Sequence, residues 1–264
     1  MYIEVEGTKL HYESMGEGMP MLIFHGHSVD YRLMAGPIEQ CFGREDAYQR
    51  IYFDIPGMGE SQLNDSIGSW EDLKRLFLQA IRELIGDQKC LMMGESFGAY
   101  LVRSLVSAIP EQVEGIGFVC PWIPDIEQKL PERVITVKEP GTQWEDHQYD
   151  YFTGIAVQWK QEVWKRYQEE IEPGILLFDR HFDDLKNELT VDEEAVFDKP
   201  AVFMMGRQDH CAGYEAAFKL MEKYPRATYA IVDSCGHNMQ IESDGVFEAL
   251  MKNWLKRVEE FHEL

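Results

Sequence analysis

A short apolar run, Cys90-Leu91-Met92-Met93, passes through Gly94-Glu95-Ser96-Phe97-Gly98 into a helical pattern that runs from 97 to about 109 and stops at Pro110. A strand that becomes a helix within so few residues places the middle residue on a tight, strained elbow at the top of a sheet. Glycine on either side lets the turn close against its neighbours. The plainer reading of Ser96 is a cap on the following helix.

The surrounding pattern repeats this strand-to-helix sequence. Residues 2–6 and 9–13 alternate around Gly7-Thr8, which predicts a hairpin. Met21 to Phe24 and Ile51 to Phe53 are continuous apolar runs ending in glycine-containing turns, as suits strands buried on both faces. Trp70, Leu73, Leu76, Phe77, Ile81, Leu84 and Ile85 share one helical face, with Gly86 beyond its end. Strands are expected at 115–120, 201–205 and 228–232, with helices near 214–224 and 245–261. The alternation predicts an α/β fold, a mostly parallel sheet flanked by helices.

The stretch 121–199 breaks this rhythm. It lacks strand–helix alternation, shows helical spacing over 155–171 and 174–189, and carries Trp122, Trp144 and Trp159 among many aromatics. We expect a helical insertion rather than an independent domain, dividing the chain into a core of 1–120 and 200–264 and an inserted segment of 121–199, which the family resemblance given below makes a lid after strand six. An insertion at that point lies over the carboxyl ends of the strands, where open α/β sheets bind ligands.

Charge narrows the partners. Twenty-five Lys and Arg against 47 Asp and Glu give a net −22, which repels nucleic acid and anionic membrane surfaces. The lid holds 9 basic and 19 acidic residues, a net −10, and is about twice as charge-dense as the core. No run approaches the roughly 18 apolar residues of a membrane helix, and the N-terminus lacks the basic head of a signal peptide. Five scattered cysteines without a C-x-x-C pair read as reduced thiols in a cytoplasmic protein. No cofactor or metal site is expected, the partner is a small-molecule substrate, and the oligomeric state is not legible.

A serine hydroxyl is nearly inert at neutral pH without a base in hydrogen-bond reach and an acid to orient that base. Asp209 follows the 201–205 strand and His237 follows the 228–232 strand, both on the rim expected for Ser96. The order Ser…Asp…His is the one this architecture requires. Asp233 and Asp125 are the rivals of Asp209. A tetrahedral oxyanion needs two fixed N–H donors; the backbones of Phe97 and of His27, in His25-Gly26-His27, are placed to supply them. His25 is open to two readings, a tie for its loop or a pocket residue. Trp122, Trp144, Trp159 and Met239 are further pocket candidates.

These motifs, together with Asp54-Ile55-Pro56-Gly57-Met58-Gly59-Glu60-Ser61, resemble the α/β-hydrolase superfamily along nearly the whole chain, and its small, lidded, bacterial-type members in particular. The resemblance implies a lid after the sixth strand, with Ser96 as nucleophile, His237 as base and Asp209 as its partner. It further implies a serine hydrolase, with ester hydrolysis of a small or medium neutral acyl substrate through an acyl-enzyme on Ser96 as the default. Serine at the elbow argues against dehalogenases and epoxide hydrolases, which carry Asp there. Carbon–carbon hydrolases of ring degradation usually place Trp after the catalytic His, where Asn238 stands here, and would need Arg166, Arg180 or Arg207 to meet an anionic dienoate. Proline iminopeptidases usually carry G-G-S-W-G, unmatched at Glu95 and Phe97, although the acidic lid suits a substrate amine. A ligand receptor on the same scaffold is the reading from outside enzymology.

Overall fold

The computed structural model describes residues 1–43, 47–141, 150–186, 188–192 and 195–262. The chain opens with strands β1 (Tyr2–Val5), β2 (Thr8–Met15) and β3 (Met19–Phe24). Helix α1 (Arg32–Glu39) leads to β4 (Tyr48–Phe53), then α2 (Trp70–Ile85), β5 (Cys90–Glu95), α3 (Phe97–Ala108) and β6 (Val113–Val119). After a long intervening segment come β9 (Ala201–Gly206), α7 (Glu215–Lys219), β10 (Ala227–Val232), α8 (Met239–Glu242) and α9 (Asp244–His262). The main sheet has eight strands in the order β1-β2-β4-β3-β5-β6-β9-β10. β1 with β2 and β2 with β4 are antiparallel; every other pairing is parallel. The mostly parallel sheet flanked by helices is therefore what the sequence predicts.

The parallel strands are apolar on both faces because both are covered. In β3, Leu22 and Phe24 enter a core shared with Phe77 and Ile81 of α2 and Leu101 and Leu105 of α3. Met21 and Ile23 enter the opposite core with Met34 and Ile38 of α1 and Phe247, Met251 and Trp254 of α9. Helix α2 starts where Ser69 accepts the Asp72 N–H at 3.2 Å while its hydroxyl donates to the Asp72 carboxylate, and it ends at Gly86 in the left-handed region (φ +58°).

The segment between β6 and β9 holds β7 (Val137–Lys138) paired with β8 (Gln158–Trp159), α4 (Asp150–Ile155), α5 (Gln161–Glu170), α6 (Glu172–Leu177) and a 3-10 turn over Arg180–Asp184. The helix predicted over 155–171 is thus interrupted at 156–160. The cause is Glu242, whose carboxylate accepts the Val157 and Gln158 N–H groups at 2.6 and 2.8 Å and takes those donors out of any helix. The helix predicted over 174–189 stops at Leu177, and the short turn after it is capped by Asp179, which accepts the His181 N–H. The 214–224 helix is likewise split, with a 3-10 turn at Met221–Lys223.

Candidate active site

Ser96 sits between β5 and α3 with φ +50° and ψ −114°, a conformation that L-residues rarely adopt. Its hydroxyl makes no capping bond to α3, so the plain capping explanation is not realised. The flanking glycines have a steric reason. A Cβ on Gly98 would lie 2.5 Å from the carbonyl oxygens of Phe24 and His25, and one on Gly94 would lie 2.3 Å from the Gly98 oxygen. Strand and helix can approach this closely only because those side chains are missing.

The loops after β9 and β10 bring Asp209 and His237 together. His237 Nδ1 lies 2.9 Å from Asp209 Oδ2, and the other carboxylate oxygen accepts the N–H groups of Cys211 and Ala212 at 2.9 Å each. Burial alone would raise the Asp209 carboxyl. The adjacent His237 and the two amides outweigh it and hold the group below the usual carboxylate range. Neither rival acid reaches His237. Asp125 forms a two-pronged ion pair with Arg103 at 2.8 Å per contact, and Asp233 accepts a bond from its neighbour Ser234.

Among the described residues no hydrogen bond joins the Ser96 hydroxyl to His237. The ring's Nε2 instead lies 3.4 Å from Oε1 of Glu95, the residue just before the serine. Glu95 is fully buried, and sequence reasoning gave it no role. The signal was an acid at the variable position of the elbow, one residue before the serine.

Ser96 opens onto a pocket of about 320 Å³ lined by His27, Trp70, Ser96, Phe97, Trp122 and Cys211. The backbone N–H groups of His27 and Phe97 donate to no backbone oxygen among the described residues. The His27 ring stands between segments: its Nε2 is 2.7 Å from Asp183 Oδ1, and Phe178 meets it edge-on. Trp70 packs edge-on against Phe97 and Trp122; the sequence shows it only as one residue of a helix's apolar face.

Three of the predicted pocket residues are corrected. His25 is buried, accepts the Ile55 N–H on Nε2 at 3.0 Å and faces the Gly26 carbonyl with Nδ1, so it ties its loop to the Asp54 turn. Trp159 belongs to the apolar cluster of the intervening segment, its indole N–H donating to the Ala156 carbonyl at 2.9 Å. Met239 is fully buried beneath the His237 loop, in the core under α9. Trp122 does line the pocket, and Trp144 lies outside the described residues.

Cys120, Asp209 and His237 place ligand-type atoms within 4.8 Å of one another. Burial pushes the Cys120 thiol well above its ordinary range, so it stays protonated, within 3.7 Å of the Gly236 carbonyl. A protonated thiol is a poor ligand, and the Asp209 oxygens are already engaged. The trio reads as part of a hydrogen-bonded acid–base site.

A strained serine at a strand–helix elbow, with an aspartate-bound histidine on the same rim, defines a hydrolase of the α/β class. The chain belongs to the α/β hydrolase fold family, whose model matches residues 20–244. It is similar to an α/β superfamily hydrolase of Oenococcus oeni PSU-1, at 25% identity with a TM-score of 0.89 over 98% of this chain and 99% of that one. A Rhodococcus sp. ECU1013 esterase has a TM-score of 0.75 at 18% identity, covering 97% of each chain. In sequence it is 21% identical to a 2-hydroxy-6-oxononadienedioate/2-hydroxy-6-oxononatrienedioate hydrolase of Pseudomonas putida, over 94% of this chain and 92% of that one.

Proposed function

We propose that this protein is a serine hydrolase that cleaves carboxylic esters of small or medium neutral acyl groups. The observation that carries the reading is the strained, uncapped Ser96 at the head of an aromatic-walled pocket. His237 Nε2 takes the Ser96 proton as Oγ bonds to the ester carbonyl carbon. The carbonyl electron pair moves onto oxygen, held by the His27 and Phe97 N–H groups. Collapse breaks the bond to the alcohol oxygen, which leaves with the imidazolium proton. Water, deprotonated by the same nitrogen, then releases the acid. Asp209 fixes the ring and its charge throughout.

Pocket chemistry supports a neutral substrate. The Pseudomonas putida relative is named for a dioate, and a dianion needs a cation. Arg166 is engaged by Glu170 and Arg207 by Tyr214, and neither they nor Arg180 line the pocket. Segment 121–199, with its acidic excess, serves as the lid in this reading, and Phe178, Phe182 and Asp183 are its points of contact with His27. No described helix is long and apolar enough to cross a membrane, and the five cysteines are free, which fits a reducing, cytoplasmic setting.

The test is a panel of nitrophenyl acetate and butyrate, a prolyl anilide and a ring-cleavage dienoate. Turnover of the short esters, lost in Ser96→Ala and blocked by an organophosphonate that labels Ser96, is expected. A wild-type protein that is never labelled would sink the reading, and preferential cleavage of the dienoate would replace the ester with a carbon–carbon bond.

A further inference from the structure

The nitrogen that has to accept the serine proton already faces a second carboxyl. Nδ1 of His237 is held by Asp209 at 2.9 Å, and Nε2 stands 3.4 Å from Glu95 Oε1. That Glu95 oxygen is buried and has no hydrogen-bond partner. Its other oxygen is packed so tightly under the His25-Gly26-His27 turn that a Cβ on Gly26 would come within 2.1 Å of it. Gly26 therefore holds one side of the carboxyl through its backbone, while the oxygen facing the ring is buried without a hydrogen bond, which is costly for a carboxylate. A proton held between Glu95 Oε1 and His237 Nε2 removes that cost.

We propose that Glu95 is a positioning residue that shares a proton with His237 Nε2 and keeps the ring from engaging Ser96 until that proton is lost. The assignment rests on the serine-hydrolase reading and names how that site is regulated. Before the proton leaves, the pair is either carboxylate and imidazolium or carboxylic acid and imidazole; in both, Nε2 is occupied. Its loss to solvent leaves a carboxylate and a neutral ring, whose Nε2 lone pair is then free for the Ser96 hydroxyl. No other bond is made or broken.

The electrostatic surroundings act in the same direction. Burial raises the Glu95 carboxyl, with Asp209 adding to the rise and His237 opposing it. For His237, burial would lower the ring, but the charges of Asp209, Glu95 and Glu242 outweigh it and raise it. The other groups that face the pair are neutral: Cys120 and Cys211, whose thiols burial pushes up, and Tyr151, whose phenol burial also pushes up. None of them supplies a cation that would release the proton.

Glu95→Gln keeps the shape and removes the titration. The acidic limb of the kcat/KM profile for nitrophenyl acetate, and of the rate of organophosphonate labelling, should move down by at least one pH unit, so that labelling at pH 6 accelerates roughly tenfold. A limb that stays in place overturns the proposal. If the variant fails to fold, the ring of His237 is titrated by NMR in the wild type. Because Asp209 alone also raises the ring, the Glu95 carboxyl is followed beside it: a single midpoint seen by both groups supports the shared proton, and separate midpoints refute the proposal. Failure of the hydrolase reading looks different, because the wild type would then resist labelling at every pH.

Discussion

Asp183 Oδ1 lies 2.7 Å from His27 Nε2, so the segment between β6 and β9 is tied to a residue that lines the Ser96 pocket. Both partners are about half exposed, and such a pair adds less than about 1 kcal/mol to stability. In the function proposed, its effect falls on substrate entry. Asp183→Ala should leave the melting temperature within about 2 °C of wild type while raising KM for nitrophenyl butyrate about two- to fivefold. Thermal melts and steady-state kinetics on the same preparation check this, and a fall in kcat with KM constant would contradict it.

Glu242 ties two separate stretches of backbone together, accepting from the consecutive Val157 and Gln158 and from Gly236 at 2.6, 2.8 and 2.9 Å. A glutamine in its place turns an NH2 toward one of those donors. We expect Glu242→Gln to cost about 2–3 kcal/mol in urea denaturation at pH 7 and to broaden the His237 ring resonances, since Gly236 precedes that residue.

The same residue sets a pH trend. Burial raises the Glu242 carboxyl to about 7, against an ordinary 4.5. Between those values the folded state keeps a proton that the unfolded state has lost, so stability falls as pH rises through this window, by up to about 3 kcal/mol from this group. Glu95 and His237 are also raised and push the same way. Asp209, held low, acts oppositely but only below the ordinary carboxylate range. Wild-type protein should therefore unfold at higher urea at pH 5 than at pH 8, and Glu242→Gln should reduce that difference. Buried His25, held low by desolvation, works against this trend, so the assignment rests on the variant: a pH difference left unchanged in Glu242→Gln would refute it.

Gly98 tests the elbow. A methyl group 2.5 Å from two carbonyl oxygens has no flexible side chain to displace, so Gly98→Ala has to push α3 away from β3. We expect a loss of about 2–4 kcal/mol together with a hydrolytic defect of at least a hundredfold, because the Phe97 N–H moves with the helix. A folded, fully active variant would show that the close approach is dispensable.

The sheet was legible because its strands are apolar on both faces and end at glycine turns, as in Met21–Phe24 and Cys90–Met93. Ser96, Asp209 and His237 could be marked because each follows a strand in the order the topology requires, and the structure brings the last two into contact. The intervening segment was harder to read. Its helices are cut by a contact from far along the chain, Glu242 reaching back to Val157, and by a local cap, Asp179 accepting the His181 N–H to start a short turn. Helix α1 escaped notice because Pro37 lies inside it. Pocket membership was the least legible: Trp159 and Trp70 look alike in sequence, yet one is sealed in its own cluster and the other faces Ser96.

The sheet order has a consequence for biosynthesis. The elbow that carries Ser96 is centrally placed, while Asp209 and His237 follow β9 and β10, the last two strands at one edge of the sheet, which the ribosome delivers more than a hundred residues later. A nascent chain that has completed β5 and α3 therefore holds a strained serine with no base beside it. Pairing across that separation has to wait for a long loop to close, the slow kind of step in folding. In the function proposed, acylation at Ser96 therefore waits until β10 docks and brings His237 to the site.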